Sequence, residues 1–155
     1  MLFIKNFFQH FYIFLTPFIA AAIAQVIKIS IKQKGQKLKI NDFLRFTYSG
    51  MPSGHSALML AATTIIGLTQ GFRSPLFAFA GMITILIIND AIRLRNYIGQ
   101  HGEILNELVK DLKDDNYLDN KYPHLKENIG HTPIQVLMGG LLGIFVATVI
   151  YFIMR

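Results

Sequence analysis

Four apolar stretches alternate with polar, mostly basic connectors along the chain. The first runs from about Phe7 to Ile29, the second from Ser56 to about Gln70, the third from Leu76 to Ile88 and the fourth from Pro133 to Met154. A helix crosses roughly 30 Å of hydrocarbon with about 20 apolar residues, so each is read as a membrane span. The second is short and is expected to tilt or to sit among its neighbours. Gly71-Phe-Arg-Ser-Pro75 turns the chain between spans two and three. Thr132 is the expected N-cap of span four, with Pro133 at its first helical position, and Gly139, Gly140 and Gly143 permit close helix approach. Between spans three and four, Leu105, Leu108, Val109 and Leu112 recur at helical spacing while Glu107, Lys110, Asp111 and Lys113 take other faces. That pattern predicts an amphipathic helix, followed by a loop from Asp114 to Pro123. The expected architecture is an all-α polytopic membrane bundle of about four transmembrane helices plus this amphipathic helix, in a single domain over residues 1–155.

Composition agrees with a bilayer setting. The chain has 155 residues, is 52% hydrophobic, and carries a formal charge of +6 with no cysteine. Mean hydropathy is +0.41. Disulfides and thiol chemistry are thereby excluded. Basic residues beside spans usually record topology and contact with anionic headgroups, which makes membrane lipid the expected partner and speaks against nucleic acid. Lys5, an apolar run and Ala22-Ile23-Ala24 share features with a cleavable leader, but the run is long and continues through Val26 and Ile27, so it is read as a span. With four spans, Lys28, Lys32, Lys34, Lys37, Lys39, Arg45, Arg93, Arg95, Lys110, Lys113, Lys121 and Lys126 share one side of the membrane, and only Lys5, Arg73 and Arg155 lie on the other. The positive-inside rule places the richer side in the cytoplasm.

Two segments on that richer side carry chemistry. Gly50-Met-Pro-Ser-Gly-His55-Ser-Ala57 and Gly130-His131-Thr-Pro133 each set a histidine at the start of an apolar span. A helix N-terminus offers unpaired N–H groups and the positive end of a macrodipole, and an imidazole exchanges a proton near neutral pH. His101, Arg95 and Asp90 fall on the same side. Hydrolysing a phosphate ester without metal needs a nucleophile, a proton donor for the leaving oxygen and fixed positive charge, which histidine and arginine supply. No serine-histidine-acid pattern of comparable quality is present, nor a run of paired acids suited to magnesium, so no cofactor and no metal site is expected. His10 and His124 read as surface residues.

The chain resembles the type 2 phosphatidic acid phosphatase superfamily, and most closely its small divergent membrane branch. The resemblance is carried by Gln25-Val-Ile-Lys28, the PSGH tetrapeptide ending at His55, Asp90-Ala with Arg95, the Gly99 to Asn106 segment, Leu125-Lys-Glu127, Gly130-His-Thr-Pro133 and Gly139-Gly140. It implies a phosphatase acting on a lipid phosphate or isoprenoid diphosphate through a phosphohistidine. In the superfamily the PSGH histidine protonates the leaving group, which maps onto His55. A third motif, SR-x5-H-x3-D, supplies an arginine and the nucleophilic histidine. Arg95 and His101 keep that spacing, with Gly99 available to turn the backbone between them, but Leu94 replaces the serine and Leu105 the aspartate. The divergent branch carries the Gly-His-x-Pro element, which makes His131 the preferred nucleophile and His101 the alternative, with Glu127 or Asp90 to orient it. Ser53, Gly54, Arg95, Lys28 and Lys39 are the assigned phosphate contacts; Lys39 and Arg45 come within one residue of the superfamily's first motif without its proline. The rival reading is a catalytically inactive relative that binds or moves phospholipid. A homo-oligomer is compatible with either. A bacterial plasma membrane is the expected location, with the site facing the cytoplasm, although superfamily members that process exported lipid carriers are expected to face outward.

Overall fold

The computed structural model describes residues 2–32, 50–114, 124–127 and 129–155, and all regular structure among them is helical. The described residues form five α-helices in order: α1 (Leu2–Lys32), α2 (Gly54–Gln70), α3 (Pro75–Asn89), α4 (Arg95–Asp114) and α5 (Pro133–Met154), with a π-helical turn at Asp90–Leu94 joining α3 to α4. Among the described residues, three stretches are long and apolar enough to cross a membrane, Phe11–Ile31, Pro75–Leu112 and Pro133–Met154. The protein is an all-α polytopic membrane bundle.

The short helix α2, 17 residues, is its axle and packs on α1, α3 and α5. At 1.5 Å per residue it spans about 25 Å, less than the hydrocarbon thickness, which suits a helix surrounded by longer ones. Its buried side is built from Ala57, Ala61, Thr63 and Ile65. Ala20 of α1 and Val146 and Ala147 of α5 complete the core, walled by Tyr12, Ile13, Leu142, Ile150 and Tyr151. Small residues dominate because helices in lipid gain nothing from leaving water; they associate by close van der Waals approach. A Cβ at Gly139 would collide with the Ser53 carbonyl, and one at Gly143 with the Ala57 carbonyl, so the two glycines let α5 lie against the backbone of α2. Across the other side of α2, the Thr63 and Thr84 hydroxyls hydrogen-bond at 2.7 Å and tie α2 to α3. Large apolar residues point outward, among them Phe79, Met82, Ile85, Phe145, Phe152 and Ile153, as expected of a lipid-facing rim.

The π-turn is where sequence and structure part. Polar residues Asn89, Asp90 and Arg93 mark where span three is expected to leave the bilayer, and no break in the helix accompanies them: helix continues to Asp114. The amphipathic helix therefore begins at Arg95, directly after the span. The Pro75–Leu112 run is 38 residues, about 57 Å of helix at 1.5 Å per residue, so its far end projects well beyond the bilayer. Gly99 does not turn the backbone; it lies inside α4, where it lets another segment approach.

Candidate functional site

The site lies where α1 ends, α2 and α5 begin, and α3 passes into α4. Ser53 and Thr132 are the N-caps of α2 and α5, and Ser53 N–H donates to Gln135 O at 3.0 Å, which locks the two helix starts side by side. The imidazoles of His55 and His131 consequently face each other, with ring centroids 6.2 Å apart and planes tilted by 54°.

His131 is held at three points. Its backbone N–H donates to the Ala91 carbonyl at 3.1 Å. That carbonyl is available because of the π-turn: the Arg95 N–H, which would reach Ala91 in an α-helix, reaches back instead to Asp90 O. The segment leading to His131 is laid along α4 by glycines and asparagines. A Cβ on Gly99 would strike the Glu127 carbonyl, and one on Gly130 would strike the Asn96 amide. Asn106 Nδ2 donates to Leu125 O at 2.9 Å and to Glu127 Oε1 at 2.8 Å, while its Oδ1 accepts from Leu125 N at 2.9 Å. The third point is Gln135, whose Oε1 lies 3.3 Å from His131 Nδ1 and accepts the Thr132 N–H at 3.1 Å. A backbone N–H can only donate, so the atom it meets is the amide oxygen, and Nδ1 of a neutral His131 must carry the proton. The Nε2 lone pair is then the one free to react.

Charge surrounds the pair. Arg95 Nε donates to Asp90 Oδ2 at 2.9 Å. In an α-helix residues five apart sit about 140° apart around the axis; the π-turn adds a residue to the turn and brings these two into register. Lys28, buried near the end of α1, runs its aliphatic stem past Gly50, whose φ of +143° belongs to glycine. Loss of surrounding water lowers the pKa of His55 from the ordinary imidazole value even though its outer edge is open to solvent; Arg95 and Lys28 lower it further and Asp90 opposes them. Burial also lowers the pKa of His131, the Gln135 hydrogen bond opposes it, and Lys28, His55 and Arg95 add to the lowering. Five groups thus act on one another at one end of the bundle: Lys28, His55, Asp90, Arg95 and His131.

Other sequence candidates take different places. His101 is exposed and sits about 200° around α4 from Gly99, on the side away from the segment that delivers His131. The linear spacing of Arg95 and His101 is real, but an unbroken helix sends residues six apart to different faces. Glu127 does not orient His131, because residues 124–127 are not helical and its carboxylate meets Asn106. Asp90 orients Arg95. Ser53 is fully buried and its hydroxyl accepts from Ser56 N and Oγ, at 3.4 and 3.1 Å, whereas a side chain at Gly54 would meet only open space. Lys39, Arg45 and most of the loop after Asp114 lie outside the described residues. Asn106 ends the Gly99 to Asn106 segment, but nothing in the sequence announces its contacts, and Gln135 is readable only as the third residue of a capping box with Thr132.

No solved structure matches the chain. The uncharacterized membrane protein YuiD of Bacillus subtilis (strain 168) is 34% identical over 150 residues, which cover 90% of this chain and 94% of that protein. The model of the Divergent PAP2 family matches residues 9–146, a span that takes in both histidine segments, the π-turn and Lys28, and the chain accordingly belongs to that family.

Proposed function

We infer that the protein is a metal-independent membrane phosphatase that hydrolyses a lipid phosphate or isoprenoid diphosphate through a phosphohistidine. The observation that carries this reading is the facing pair His55 and His131 at two helix N-termini, with Arg95 and Lys28 acting on both rings. With centroids 6.2 Å apart and planes tilted by 54°, the two rings are placed so that one tetrahedral phosphoryl group could be touched by both. In the first step the lone pair of His131 Nε2 attacks phosphorus, the P–O bond to the leaving group breaks, and the departing oxygen takes the proton of cationic His55. In the second, water attacks the phosphohistidine with neutral His55 as base, the P–N bond breaks, and inorganic phosphate leaves. Arg95, aimed by Asp90, and Lys28 hold the non-bridging oxygens as charge spreads over them.

Phosphate release by purified protein from lipid and isoprenoid phosphates tests the reading. His55→Ala should lower turnover by about 10²- to 10⁴-fold, the usual contribution of a general acid, and His131→Ala at least as much. His101→Ala, on the exposed face of α4, should stay within a factor of about two, the small effect of a surface substitution. Binding without release in the unaltered protein would instead favour the lipid-binding, non-enzymatic reading, and full activity of His55→Ala would end the assignment.

A further inference from the structure

Gln25 presents an unanswered hydrogen-bond donor beneath the site. The residue is 6% exposed, and its Nε2 is the one buried side-chain polar atom among the described residues without a partner. It lies on α1 three residues before Lys28, on the same helical face and about 4.5 Å further toward the bilayer centre. Burying an amide with no partner is costly, so this donor calls for an acceptor that the described residues do not supply. The cationic groups Lys28 and Arg95 occupy the level of the histidines. Gln25 lies about one helical turn below Lys28, on the side where the leaving-group half of a lipid substrate would extend if its phosphoryl group were held above. The donor is neutral. A second phosphate buried against it would keep an uncompensated charge, whereas an uncharged oxygen such as an ester carbonyl would be satisfied without one.

We propose that Gln25 is a specificity-determining residue whose Nε2 donates to an uncharged oxygen of the substrate's leaving group, on the bilayer side of the phosphoryl group. This rests on the phosphate-site reading above. Equilibrium binding at low temperature to the detergent-solubilised whole chain, followed by native mass spectrometry, tests it with three probes: inorganic phosphate, a diacylglycerol phosphate and a long-chain alkyl monophosphate. The unaltered protein should prefer the diacylglycerol phosphate over the alkyl phosphate by about three- to tenfold, the worth of one hydrogen bond. Gln25→Leu should remove that preference by weakening only the ester-bearing ligand, leave inorganic phosphate binding unchanged, and hold or raise thermal stability, since it deletes an orphaned donor. Gln25→Met, unbranched and close in shape, serves if leucine disturbs packing. An unchanged preference in both variants, with Arg95→Ala abolishing phosphate binding, overturns the Gln25 assignment alone. Failure of the unaltered protein to bind any of the three probes overturns this assignment together with the site reading.

Discussion

The carboxamide of Gln135 decides which nitrogen of His131 is free to attack, because it accepts the Nδ1 proton while the Thr132 N–H fixes its oxygen in place. It touches no reacting atom in the proposed chemistry and so acts by positioning. Gln135→Met should lower kcat by about 10- to 100-fold, as loss of a supporting hydrogen bond typically does. Gln135→Glu keeps both acceptor contacts and should restore most of it. The pH profile separates this role from a merely structural one. His131 must be neutral and His55 cationic in the free enzyme, and both pKa values are lowered by burial, so kcat/KM should follow a bell centred below about 6.5, the ordinary imidazole value. Its low-pH limb belongs to His131. A carboxylate at position 135 raises that pKa and should move the limb to higher pH; Asp90→Asn removes the one group that raises the His55 pKa and should move the other limb lower. An optimum above pH 8 would contradict the assignment of both rings. At this scale the sequence already exposes His55, His131 and Arg95, since each stands in a short motif before or after a span. Gln135 carries no such flag, and Gln25, although it opens the Gln25-Val-Ile-Lys28 segment, has no role legible there, because a glutamine's role depends on what its amide meets in three dimensions.

Helix contacts position these groups, and glycine controls the contact that matters most. Gly139 lies where α5 crosses the Ser53 backbone, at the very turn that presents His55. Gly139→Ala should push α5 away from the start of α2, with a destabilisation of about 1–3 kcal/mol, the usual cost of overpacking, and a loss of activity beyond what the lowered stability explains. Gly81→Ala is the matched comparison: it too adds one methyl to a helix, but into open space, and should leave both properties unchanged or slightly improve stability. Thermal unfolding in detergent, read beside turnover, checks both. Spans one, two and four are legible from their apolar runs, caps and prolines, and the small-residue stripe of α5 is legible as a contact face. The π-turn is not. Asp90 and Arg95 look from sequence like a chain leaving the membrane, because polarity is a sign of exit; helix persists there because the Ala91 carbonyl gains the His131 N–H and the Asp90 carboxylate gains Arg95. Those partners come from a segment forty residues on in one case and from an altered helical register in the other, and neither is visible in local periodicity.

For the molecule as a whole, the contacts among Lys28, Gly50, Ser53, Gln135, Ala91 and His131 gather the candidate groups at one end of the bundle, and the turn carrying Phe72 and Arg73 lies at the other end of α2. Charge predicts which end meets the cytoplasm. Counted along the sequence with four spans, the connector lysines, Arg93, Arg95 and the basic residues between spans three and four share one side of the membrane, against Lys5, Arg73 and Arg155 on the other. Moving so many cations across a membrane during insertion is unfavourable, and the positive-inside rule therefore predicts that the site faces inward. Lys28 and Arg95 have a second use in holding phosphate, yet removing both from the count leaves the asymmetry in place. The absence of cysteine allows a clean test, since a single introduced thiol is the only one to label. Glu103→Cys, exposed on α4, and Arg73→Cys, exposed in the α2–α3 turn, should be labelled in opposite patterns by a membrane-impermeant maleimide. In intact cells position 73 should react and position 103 should react only after permeabilisation. The reverse pattern would place the histidine pair outside the cell, where its substrates would be lipid phosphates of the outer leaflet, and the basic connectors would then have to be explained by phosphate binding and not by insertion.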